Sequence, residues 1–181
     1  MIKEQFLRLE HTSPKVSAAF QVFLGSLLMA ILAQISIPLQ PIPMSLQTLG
    51  VFMLPVFLGK KRAAYSLLLY LGEATLGLPV LASLKMNPFW IMGPTAGYLL
   101  GFPVAAYVIG FLLEKDQNRS WLFTAVSLFV GQVTIYTFGV TFLSFMIGFE
   151  KAFFVGVLPF IPVNFYKLGI ALLGTKFCDH K

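Results

Sequence analysis

Asn164 and Lys167 stand three residues apart in the run Pro159-Phe160-Ile161-Pro162-Val163-Asn164-Phe165-Tyr166-Lys167. On a helix, residues three apart share one face. The pair offers an ammonium beside an amide that both donates and accepts, which is binding chemistry. The surroundings are apolar, and an ammonium at membrane depth costs roughly 2.5–3.5 kcal/mol on insertion scales. Such a group is retained where something pairs with it. The alternative is a lysine that snorkels outward to water, with Asn164 capping its helix.

Other polar side chains fall in similar settings. Ser45, Gln47 and Thr48 follow Pro41-Ile42-Pro43 and can bond a polar ligand or neighbouring helices. Gly93-Pro94-Thr95-Ala96-Gly97-Tyr98 places exposed amides, a hydroxyl and a phenol at a helix start, while Gly97 and Gly101 read as close helix packing. Gln132 and Tyr136 lie one turn apart and can face one interior. Phe89 and Trp90 suit either an interfacial aromatic belt or a lid over a pocket. Glu73 is an acid within a helix, with no partner assignable from sequence. The histidines, His11 and His180, fall in polar tails. No metal-ligand cluster, nucleophile elbow or phosphate-binding loop occurs, which favours binding or transport over catalysis. The single Cys178 permits no intrachain disulfide.

These residues need elements to position them. Of 181 residues, 57% are hydrophobic and 11% charged, against about 25% charged in soluble domains. Nearly charge-free runs cover 16–59, 63–84, 87–113, 121–149 and 152–175. A span needs about 20 apolar residues, so the chain reads as an all-α, multi-pass membrane protein. Helices are expected at 16–36, 43–59, 63–80, 94–113, 121–147 and 162–177. All 181 residues are needed for the spans and their connections, so one domain over 1–181 is expected. The polar start argues against a signal peptide, because the first apolar run continues into a full span. The net charge of +6 fits charged cytoplasmic ends better than nucleic acid.

Basic residues sort by side. Lys3, Arg8, Lys15, Lys60, Lys61, Arg62, Lys115, Arg119, Lys176 and Lys181 share one face, leaving Lys85 and Lys151 on the other. The positive-inside rule puts the first face, with both termini, in the cytoplasm. Prolines gather on the outer side, and Pro43, Pro94 and Pro162 are placed to open three inward-running helices. Their N-termini would converge on one cavity and favour an anion such as a carboxylate.

Ile37-Pro38-Leu39, Pro41-Ile42-Pro43, Leu46-Gln47-Thr48-Leu49-Gly50, Gly77-Leu78-Pro79-Val80, Gly93-Pro94-Thr95-Ala96-Gly97-Tyr98-Leu99-Leu100-Gly101-Phe102-Pro103 and Pro159-Phe160-Ile161-Pro162 with Lys167 resemble the BioY family. These are the biotin-specific S components of energy-coupling factor (ECF) transporters. The resemblance covers nearly the whole chain in order. It implies a six-helix S-component fold in the cell (inner) membrane, a biotin pocket open to the outside, no enzymatic activity and no cofactor. It further implies a transmembrane coupling subunit and two ATPases as partners. With biotin as the implied ligand, the candidate binding residues are Gln47, Trp90, Gly93, Thr95, Tyr98, Tyr136, Asn164 and Lys167.

Two positions depart from the family pattern. The usual Pro-Gly-Asp before the lysine is Pro162-Val163-Asn164 here, which removes a charge beside Lys167 and keeps a carbonyl acceptor. On helix 1, Ala18, Ser26 and Ala30 fit a small-residue stripe for a coupling subunit, but Val22 interrupts it. An S component for another small carboxylate or vitamin is the first alternative. A stand-alone channel or structural membrane protein is the second.

Overall fold

An apolar chain without nearby charge must satisfy its own backbone, and a helix does this within one segment. The computed structural model describes residues 14–115 and 120–179 and is mainly helical. Helix α1 is Pro14–Gln34. A short antiparallel pair follows, β1 (Ser36–Ile37) with β2 (Met44–Ser45), in register Ser36 to Ser45. Next come α2 (Gln47–Thr75), α3 (Ala96–Leu113), α4 (Trp121–Ile147), α5 (Phe149–Gly156) and α6 (Ile161–Asp179). Single 3-10 turns at Ala82–Leu84, Trp90–Met92 and Leu158–Phe160 shape the connections.

Helix α2 is two helices. Gly59 takes φ 75° and ψ 169°, a conformation natural only to glycine. A straight helix would hold Gln47 and Tyr70 about 35 Å apart, yet Gln47 Nε2 donates to Tyr70 Oη at 2.8 Å. The chain therefore doubles back at Gly59, giving limbs at 47–58 and 60–75. The break also meets the end of α3, where Lys60 pairs with Glu114 at 2.7 Å. The second and third expected helices are thus joined by almost no loop.

Helices α2 and α4 flank α3, α1 packs on α2, and α6 leans on α2 and α4. The interior is mainly apolar, with Phe52, Leu67, Tyr70, Ile109 and Leu128 fully buried, but it also holds small and polar groups. Ser26, Ser66 and Ser127 are fully buried, and Gln47, Gln132, Asn164 and Lys167 nearly so. Outside, Phe20, Phe23, Leu27 and Ile31 on α1, and Leu122, Val126, Phe129 and Val133 on α4, are exposed. Without a hydrophobic drive between helices in lipid, small residues and internal hydrogen bonds take over. At Gly97 a β-carbon would overlap the Phe138 carbonyl, and at Gly139 it would overlap the Tyr98 ring, so α3 and α4 approach backbone to backbone. Among the described residues, four segments are long and apolar enough to cross a membrane: Val16–Gln34, Ala96–Leu113, Trp121–Ile147 and Phe149–Thr175.

Several expectations are corrected. Pro43 does not open a helix; it precedes β2, and α2 starts at Gln47. Pro94 lies two residues before α3. Of these three prolines, only Pro162 sits in a first turn, that of α6. The α4–α6 connection contains a further helix, α5, whose charged start at Glu150 and Lys151 read as a break between spans. Glu73 has a partner, accepting a hydrogen bond from Ser26 Oγ at 3.0 Å. Lys3, Arg8, His11, Arg119, His180 and Lys181, and the side chains of Lys15, Lys176 and Cys178, lie outside the described residues.

Candidate ligand-binding site

The heads of α2, α3 and α6 and the middle of α4 enclose one cavity of about 60 Å³. Gln47, Thr48, Thr95, Tyr98, Gln132, Tyr136, Asn164 and Lys167 all line it, with Phe102, Ile135 and Phe160 as apolar wall. The convergence of helix starts anticipated from the prolines therefore exists, but the turns before those helices build it.

Lys167 is only 3% exposed, so it does not snorkel to water. Its Nζ donates to the Ser45 carbonyl at 2.6 Å and to Thr48 Oγ1 at 2.8 Å. An ammonium has three donors, which leaves one N–H for the cavity. Among the described residues no carboxylate pairs with it. It also sits beside the start of α2, whose exposed N–H groups carry partial positive charge. Both terms favour an electron-rich ligand.

Asn164 lies inside α6 and does not cap it. Its Nδ2 donates to Tyr136 Oη at 2.7 Å, tying α6 to α4. Its Oδ1 is buried with no hydrogen-bond partner among the described residues, and the same holds for both polar atoms of Gln132. Buried polar groups are nearly always paired. Three unpaired ones around one cavity mark where an external partner belongs.

Gln47 is spent within the protein. Its Oε1 accepts from Ser45 Oγ at 2.7 Å, and its Nε2 donates to Tyr70, whose hydroxyl donates to the Val80 carbonyl at 3.0 Å. Gln47 thus braces the Ser45 turn that receives Lys167. Tyr98 donates to the Gly156 carbonyl at 3.0 Å, pinning α5 to α3 and leaving its ring as wall. Thr95 is the N-cap residue of α3, and its hydroxyl makes no capping bond.

Two candidates fall elsewhere. Trp90 is buried but does not line the cavity, and its Nε1 donates to Thr75 Oγ1 at 3.1 Å. Gly93 ends the Trp90 turn, its N–H on the Trp90 carbonyl at 3.0 Å. Neither lines the cavity. Gln132 does, and the sequence signal for it was its one-turn spacing from Tyr136.

The sequence profile of the BioY family matches residues 7–179. The chain belongs to the BioY family. It is 40% identical to the biotin transporter BioY of Thermotoga maritima over 78% of this chain and 83% of that protein. Against the Rhizobium etli biotin transporter BioY the identity is 38%, over 86% of this chain and 85% of the relative. The fold matches a crystal structure of the S-component for biotin from an ECF-type ABC transporter. That match has a TM-score of 0.82 and 26% identity, covering 92% of this chain and 93% of the other. This BioY chain is accordingly a multi-pass membrane protein with the S-component fold.

Proposed function

We propose that this BioY chain is the biotin-binding membrane subunit of an ECF-type vitamin uptake system. The observation that carries the reading is the buried Lys167 ammonium, held by Ser45 and Thr48 without a counter-ion among the described residues, beside the unpaired Asn164 Oδ1. Biotin's ureido carbonyl and N–H groups fit a donor beside an acceptor. Gln47, Thr95, Tyr98 and Tyr136 complete the binding wall, and Trp90 and Gly93 support it from the adjoining connection. At about 60 Å³ the cavity is contracted relative to the roughly 300–1,000 Å³ of small-molecule sites, so the ligand displaces part of the wall as it binds.

The remaining architecture follows from the same reading. Counting both limbs of α2, six segments cross the cell (inner) membrane as one S-component domain spanning 1–181. Both termini and the Gly59 turn face the cytoplasm, and the cavity faces outward. A transmembrane coupling subunit and two ATPases supply the energy.

Titration of detergent-purified protein with radiolabelled biotin tests the function. Saturable, near-stoichiometric binding is expected, and its absence overturns the reading. Asn164 in the acid's usual place favours one rival, an S component for a different vitamin or small carboxylate. A thermal-shift screen in which another such compound stabilises the protein and biotin does not would establish that rival.

A further inference from the structure

Gln132 is the residue the site leaves unexplained. It is 4% exposed, lines the cavity, and has neither amide atom hydrogen-bonded among the described residues. It sits on α4, one turn from Tyr136, whose hydroxyl accepts from Asn164. We propose that Gln132 reads one edge of the ureido ring of the bound vitamin, with Asn164 and Lys167 at the other edge, and so sets specificity for a neutral cyclic urea. The proposal rests on the biotin reading and deepens it.

The argument is a match of donors to acceptors. A five-membered cyclic urea holds each N–H on the same side as the carbonyl. It therefore presents two identical edges, each with one donor and one acceptor lone pair. A primary amide is the complement of such an edge: Gln132 Nε2 donates to the carbonyl while Oε1 accepts the adjacent N–H. The second edge needs another acceptor and another donor. Asn164 Oδ1 is unpaired, and Lys167 retains one N–H after Ser45 and Thr48 are counted. The residues three apart on α6 form that second pair. Gln132 thus offers a donor and an acceptor to one edge, and Lys167 with Asn164 offers a donor and an acceptor to the other.

The test uses purified wild type, Gln132→Met and Gln132→Glu, with biotin and 2-iminobiotin as probes at neutral pH. The second probe carries a protonated guanidinium in place of the urea and offers donors only. Methionine keeps the volume and removes the unpaired amide, so the ligand-free melting temperature of Gln132→Met should equal or exceed that of wild type. Its biotin affinity should fall at least tenfold, about 1.4 kcal/mol. Ionised glutamate only accepts, so Gln132→Glu should shift preference from biotin toward 2-iminobiotin by at least tenfold relative to wild type.

Biotin binding by Gln132→Met within twofold of wild type overturns the inference and leaves the biotin reading intact. Failure of wild type to bind biotin removes the reading beneath it. If Gln132→Met loses both melting temperature and affinity, the Gln132→Glu preference decides: a shift supports the assignment, and no shift overturns it.

Discussion

Lys167 holds the backbone carbonyl of Ser45 at 2.6 Å across 122 positions of sequence. That bond closes the cavity between β2, just before α2, and the start of α6. It also explains how a buried ammonium persists: two strong acceptors replace part of its hydration, and the charge remains directed at the cavity.

Replacing Lys167 should therefore abolish tight binding and leave the fold. Lys167→Ala is expected to weaken biotin affinity by more than tenfold, about 1.4 kcal/mol, as measured by equilibrium binding in detergent. Unchanged affinity would remove Lys167 from the site.

Asn164→Asp should preserve or tighten binding. Asn164 donates to Tyr136 Oη; an aspartate would accept from the same hydroxyl, so the contact survives with its proton reversed. The carboxylate would also lie one turn from Lys167. A loss greater than tenfold would refute the view that amide and acid play the same part here.

Gly139→Ala is expected to lower stability by about 1–3 kcal/mol, the usual range for overpacking. The added methyl would meet the Tyr98 ring, which has no room to move while its hydroxyl is held by Gly156. Tyr98→Phe should cost about 1 kcal/mol and should partly relieve Gly139→Ala, a coupling visible in a double-mutant cycle of melting curves. Strictly additive effects would place the two contacts on separate supports.

At the Gly59 turn, the Lys60 hydrogen bond holds the Glu114 carboxyl below its ordinary value of 4.5, and the same bond raises Lys60 above 10.5. Glu114 is depressed in the folded state, so its contribution is present above pH 4.5 and is lost as pH falls through the lowered value. Lys60 is raised, so its contribution is present below pH 10.5 and is lost as pH climbs through the raised value. Glu114 is exposed and Lys60 partly so, and the effect is small and screened by salt. Melting temperature against pH should show an acid-side decline that Glu114→Gln flattens and high salt diminishes. Identical profiles for variant and wild type would count against the pair.

Much of the fold was legible because membrane insertion writes itself into composition. Long charge-free runs had to be helices, and the basic turn at 60–62 had to join two of them. The convergence of polar groups from the heads of three helices was also readable, since Ser45, Thr95 and Asn164 each follow a proline-rich connection. The separate helix α5 escaped because Glu150 and Lys151 read as a loop and its eight residues are too short for a span. Trp90 escaped for a different reason: an aromatic at a connection suits lipid, ligand or core equally, and only the Thr75 hydroxyl behind it makes core the outcome.

By itself, the sequence determined the family, the helical class and the shared face of Asn164 and Lys167, because these depend on local period and on the solvent each run can enter. Tertiary structure decided which polar atoms are spent and which remain. Gln47 and Gln132 are the same side chain in similar apolar surroundings, yet Ser45 and Tyr70 take up the first and nothing among the described residues takes up the second. Hydrogen-bond satisfaction depends on neighbours distant in sequence, and so it becomes visible only when the helices are packed.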